Sequence, residues 1–195
     1  MARVSLPFVK TSFTGKELET MTRGVNALKH WTWLSEATLV YDSKTDPYTA
    51  DGLFDRIRGV QNVALIGFTT DGDVFGGFYS KAVTGQEEYS NDPSIFAFSF
   101  ESHGRCMAPQ RFVRYGGWDD EAMVTFENTS KGFVHFWVYG FGGFSLGNER
   151  SKSNCWNMSY AFEGLKDTTL TGKNSTNDEN PPFHHCIRLV AVHLE

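Results

Sequence analysis

The chain predicts an α+β fold dominated by β structure: a two-sheet antiparallel β-sandwich with a few flanking helices. Three observations carry this. Aromatic residues make up 15% of the 195 residues, with 17 Phe and 19 Gly beside only 6 Pro, a mixture that suits pleated sheets packing large rings. Short apolar stretches follow one another, separated by turn-forming residues, in the rhythm of a sandwich. Helical periodicity is confined to the first third of the chain, so helices flank the sheets rather than alternate with strands.

The first element is a helix opening near Thr14. Thr14 and Glu17 have the spacing of a capping box, and Leu18, Met21, Val25 and Leu28 recur at the period of one helical face. That stripe fits core packing, and it is too short for a coiled coil. Residues 38–41 read as a strand and 42–48 as a polar turn around Pro47. A second helix runs from its cap Thr49 through Leu53, Phe54 and Ile57 to a stop at Gly59. Residues 62–68 and 74–79 then flank Asp71-Gly72, a dipeptide that supplies the positive φ angles of a tight hairpin.

Residues 95–100 place Phe96, Phe98 and Phe100 on one strand face, expected to point into the space between the two sheets. Further strands are expected at 111–115, 122–126, 133–141, 156–162 and 187–194, with a turn at 128–132. The polar stretch 167–182 reads as a surface loop. No repeat or linker divides the chain. The expected organisation is an N-terminal helical segment, 1–34, packed on a β-sandwich of 35–195 as a single domain.

Composition narrows the function classes. Hydrophobic residues at 40% and charged residues at 21% are globular values. A net charge of −5 argues against broad attraction to nucleic acid or to an anionic membrane surface. No apolar run approaches the roughly 20 residues that cross a bilayer, so membrane insertion is not expected. The opening residues lack the pattern of a secretory lead, and Cys106, Cys155 and Cys186 lie far apart. Free thiols in a reducing compartment follow: the cytoplasm, with the nucleus as second choice.

The glycine-rich run 140–147 lacks the Lys and Ser/Thr of a P-loop and carries Ser145 where a dinucleotide fingerprint needs its third glycine. Glycines beside aromatic residues in a sheet mark bulges or close backbone approach instead. His103, Cys106, His184, His185 and Cys186 could gather around zinc, but their spacing is not that of paired ligands, and adjacent strand residues face opposite ways. No Gly-x-Ser-x-Gly elbow is present. Cys106 has Arg105 beside it and His103 nearby, and positive neighbours favour a reactive thiolate, so a thiol that senses or scavenges peroxide is one alternative. Arg105, Arg111, Phe112, Arg114, Tyr115 and Trp118 interleave guanidinium and aromatic groups, the means of gripping phosphates and stacking bases. A nucleic-acid-binding regulator, including a DNA-binding one, is the other alternative. No residue is assigned a catalytic, cofactor-binding or metal-binding role.

The order of short motifs resembles the TLDc domain family. Leu39-Val40-Tyr41-Asp42-Ser43, then Asp51-Gly52-Leu53-Phe54, then the hairpin through Asp71-Gly72-Asp73-Val74-Phe75-Gly76-Gly77-Phe78 look like its opening. Residues 95–100 resemble its Phe-rich strand, 142–147 its Gly-rich strand and 183–195 its closing strand. The resemblance spans about residues 31–195 and implies a β-sandwich, a role in protection against oxidative stress and, in larger eukaryotic members, association with the proton-pumping vacuolar ATPase. It implies no catalytic residues. Animal members follow the Gly-rich strand with an acidic run, whereas Asn148-Glu149-Arg150-Ser151-Lys152 is mixed here, which changes the partner surface that would be complementary. The expected function is that of a non-catalytic, stress-related interaction domain with a protein partner, in a short, stand-alone eukaryotic member of the family.

Overall fold

The computed structural model describes residues 12–86, 90–115, 122–125, 134–138, 142–148, 150, 153–173 and 184–195. The expected turn at 128–132, Trp118 and the stretch 174–182 lie outside these residues. Among the described residues, eleven strands pair into two antiparallel sheets. Numbered in chain order, the first sheet runs β1 (Ala37–Asp42), β11 (Cys186–Leu194), β2 (Val63–Thr69), β3 (Val74–Tyr79), β5 (Phe96–Glu101) and β6 (Gln110–Val113). The second runs β10 (Cys155–Trp156), β9 (Gly142–Leu146), β8 (Val134–Val138), β7 (Ala122–Thr125) and β4 (Ser90–Asn91). The β-dominated two-sheet sandwich expected from the sequence is the fold.

The β2–β3 hairpin lies near the middle of the first sheet, with Val63 opposite Tyr79 and Phe68 opposite Val74. Of the Asp71-Gly72 pair only Gly72 takes a positive φ, at 86°. Its N–H donates to Thr69 O at 3.0 Å, so the chain reverses through a type I-like turn closed by a left-handed glycine. The strand nearest the C terminus is interior rather than peripheral: Val190 of β11 pairs with Asp42 on one side and Ile66 on the other.

Both faces of the first sheet are covered, which is why β2 and β3 are buried at every position. Toward the second sheet, Leu65, Phe75 and Leu189 meet Phe136, Phe144 and Leu146. Phe136 and Phe144 stack with centroids 5.0 Å apart. The opposite face carries Ile66, Phe78, Phe98 and Val190, covered by Met21, Val25 and Leu28 of helix α1 (Gly15–Thr32).

Here the structure corrects one expectation. Phe96, Phe98 and Phe100 share a face, but that face meets α1 and not the second sheet. Strand alternation fixes that they go together and leaves open which layer receives them. Ala97 between them faces the sheet–sheet core. Phe98 and Phe100 stack at 4.6 Å, and Phe78 and Phe96 at 4.9 Å. Gly24 lets α1 settle onto this layer, because a Cβ there would lie 2.2 Å from the Phe100 ring.

Local expectations fared unevenly. Thr49 caps α2 (Ala50–Ile57) as read, its Oγ1 accepting from Gly52 N at 3.1 Å. Thr14 is the N-cap of α1 but makes no side-chain cap bond. The box does not close, because Glu17 bonds Arg188 and Lys44 instead. The strand expected at 156–162 stops after Trp156. Asn157 turns left-handed (φ 47°), and α3 (Met158–Ala161) forms one helical turn, so helices are not confined to the first third of the chain. Buried Met158, Ala161 and Phe162 are spaced three and four apart, which a helical turn buries on one side and a strand does not.

Candidate functional site

Arg188 heads the fully buried large side chains and is only 1% exposed. It follows a register shift in β11 and faces the layer under α1. Its Nε donates to Asp42 Oδ1 at 3.0 Å, its Nη1 to Glu17 Oε2 at 2.7 Å and its Nη2 to both Asp42 Oδ2 and Ser12 O. The guanidinium also lies 4.2 Å from the Phe13 ring centroid and 5.6 Å from that of Phe68. A buried cation is tolerable only when paired and hydrogen-bonded, and this one is both. The knot ties the start of α1 to β1 and β11. Nothing in the sequence marks Arg188, since its partners lie up to 176 positions away.

A second knot forms at the β2–β3 turn. Asp73 is buried, accepts from Arg105 Nη2 and stands 3.0 Å from His103 Nδ1. Arg105 also donates from Nε to Thr169 O at 2.9 Å and from Nη2 to Leu170 O at 3.1 Å. Three connections therefore meet on one guanidinium. Cys106, half-buried, packs against the sheet–sheet core while its N–H donates to Ser102 Oγ at 2.7 Å. The cation that the sequence sets beside Cys106 is thus bonded to Asp73 and to two carbonyls. The described part of the expected 167–182 loop is held inward by the same contact, with Leu170 and Thr171 buried.

The other candidate ligands do not gather with Cys106. His184 sits in the core, its Nε2 3.2 Å from Ser145 O and its ring edge-on to Phe75 at 5.1 Å. Burial lowers its pKa to about 3, so the ring is neutral. His185, next to it, is only half-buried. Burial pushes the Cys186 thiol up to about 12 and raises that of Cys155 as well. Among the described residues no cluster of three His, Cys, Asp or Glu side chains could hold a metal ion. The glycine-rich strand β9 marks a close approach: a Cβ on Gly142 would lie 2.4 Å from Asn157 O.

The basic and aromatic segment does not present one surface. Phe112 is 2% exposed and faces the sheet–sheet core, away from any base it could stack. Arg105 belongs to the Asp73 knot. Arg111 projects on the other side of β6, donating from Nη1 to Trp31 O at 3.0 Å and lying 5.6 Å over the Phe96 ring. Arg114 donates from Nε to Pro93 O at 3.1 Å, and Tyr115 is partly exposed. Arg111 and Arg114 nonetheless share a cleft of about 380 Å³ with Trp31, Asn62, Phe78, Ser80, Ser94 and Phe96. The sequence brings the two arginines into view and gives no sign of the other walls, which come from α1, the residue before β2, the end of β3, and β5 with the turn before it.

No described helix is long and apolar enough to cross a membrane. No curated protein matches the chain. The family model described as the TLDc domain matches residues 19–174. The match starts inside α1, ends before β11 and covers well over half of the chain. With the β-rich sandwich and its order of motifs already in place, that match makes the chain a member of the TLDc domain family.

Proposed function

We propose that this chain is a non-catalytic interaction domain in protection against oxidative stress, acting in the cytoplasm through a protein partner. The observation that carries the reading is the employment of its buried charges. Arg188, Asp42 and Asp73, the last paired with the more exposed Arg105, join separate segments of the chain, with carboxylate, carbonyl and guanidinium matched to one another. Such knots make a rigid frame, and rigid frames present loops for recognition. Family membership supplies the link to oxidative stress. The proton-pumping vacuolar ATPase is the first partner to look for, and its support is family resemblance.

Affinity capture of the tagged chain from cells with and without peroxide, analysed for protein and nucleic acid, tests this. We expect recovery of a protein partner, together with lowered peroxide tolerance in a deletion strain that both wild type and Cys106→Ser restore. Normal tolerance in the deletion strain, with no partner recovered, overturns the reading. Failure of Cys106→Ser alone to restore tolerance transfers the function to the thiol. Nucleic acid recovered in place of protein, in amounts that fall with salt, transfers it to nucleic-acid binding.

A further inference from the structure

The cleft beside Arg111 has the features of a small-molecule site. Its floor is apolar, built from Trp31, Phe78, Ile95 and Phe96, and its rim is polar, with Asn62, Ser80 and Ser94. At about 380 Å³ it is in the range of pockets that hold small organic ligands. No Asp or Glu is among the described residues that line it.

Arg111 is anchored at the cleft and still open to solvent. One Nη1 bond to Trp31 O and the Phe96 ring beneath fix the plane of the guanidinium, while the residue remains exposed. A guanidinium offers five N–H donors in a fork that matches a carboxylate. A donor already fixed in place loses less entropy on binding.

Two negative features oppose an anion here. The C-terminal end of α1 carries about half a negative charge, against the full positive charge of Arg111. Asp92 is buried behind the wall, but its carboxylate accepts from Ser80 N, Ser80 Oγ, Lys81 N and Ser94 N. Arg111 and Arg114 are the charged side chains among the described residues that line the cleft. An added strand from a partner is disfavoured at this edge: Glu163 N donates to Val113 O at 2.8 Å, and Tyr115 N to Ala161 O at 3.2 Å. These bonds occupy the outer carbonyl of Val113, the last residue of β6, and the N–H of Tyr115 just past it, next to the cleft.

We infer that this cleft binds a small organic carboxylate with an aromatic or aliphatic body, the body on Trp31 and Phe96 and the carboxylate on Arg111. The site requires no protein partner, so its failure would leave the interaction reading untouched. The test uses the full chain and three probes with one body and different charge: 3-phenylpropionate, 3-phenylpropanol and 3-phenylpropylamine, titrated by ligand-observed NMR. Saturable binding of the acid is expected, about ten-fold or more tighter than the alcohol, as loss of a charge-assisted hydrogen bond implies, with no saturable binding of the amine. Arg111→Gln should abolish the preference for the acid. Ser94→Phe, which blocks the mouth without touching Arg111, should abolish acid binding with the thermal midpoint unchanged. Equal affinity for the acid and the alcohol, no saturable binding of the acid, an acid preference that survives Arg111→Gln, or acid binding unaltered in Ser94→Phe would each overturn the proposal.

Discussion

At the scale of single residues, buried charge is the feature with the largest expected consequences. Truncating Arg188 would leave Asp42 desolvated and without its guanidinium, and breaking a buried pair this way costs about 3–5 kcal/mol. Urea denaturation of Arg188→Ala should show a loss of that size. Arg188→Met combined with Asp42→Asn should recover a large part of it, because removing both charges is far milder than removing one. A double variant no better than the single would mean that packing against Phe13 and Phe68, not charge, sets the effect. The three cysteines are also separable. Cys106 is half-buried, whereas Cys155 and Cys186 are buried with thiols pushed well above the usual range. Maleimide should modify Cys106 alone in the folded protein and reach the other two only in denaturant, as peptide mass mapping would reveal.

At the scale of elements, α1 gives the first sheet its second covered face. Met21, Val25 and Leu28 rest on Phe98, Val190 and their neighbours, and complete burial of each apolar side chain contributes about 1.5–3 kcal/mol. Leu28→Ala should therefore cost about 2–5 kcal/mol, cavity included. The helix also depends on Gly24, where a side chain would press into the Phe100 ring. Gly24→Ala gains helix propensity of about 1 kcal/mol, but overpacking costs about 1–3 kcal/mol. Overpacking should win, and thermal unfolding of Gly24→Ala should show a net loss. A gain in stability would mean that α1 shifts outward at little cost.

At the scale of the whole molecule, the family match and the cooperative unit have different limits. The match ends at residue 174, yet β11 lies between β1 and β2 in the middle of the first sheet. A fragment ending at 174 should fail to show cooperative unfolding by circular dichroism, while the full chain does. Stability should also depend on pH through His184. Above its usual value of 6.5 the ring is neutral in both the folded and unfolded states, so it has no effect. As pH falls from there toward 3, the unfolded chain takes up a proton that the buried ring refuses, and stability drops by up to about 1.4 kcal/mol per unit. Between pH 7 and 4.5 the wild type should therefore lose about 2–3 kcal/mol more than His184→Gln, measured by urea midpoints.

The sequence by itself determined the class of fold, the strand-rich pattern, the β2–β3 hairpin, the start of α1 at Thr14 and the cap at Thr49, because alternation, turn chemistry and capping act over a few neighbouring residues. The same local reasoning picked out Arg105 and Arg111, since it needs only the residue types side by side. Only the tertiary structure decided that Phe96, Phe98 and Phe100 lie under a helix, and that Arg105 closes a knot on Asp73. It also sets Arg111 at the mouth of a cleft and turns Phe112 away from it. Glu17 shows why: a carboxylate spaced to cap its own helix is drawn instead to Arg188, 171 positions along the chain. A buried guanidinium must be paired, and that long-range demand outweighs a local bond at a helix end.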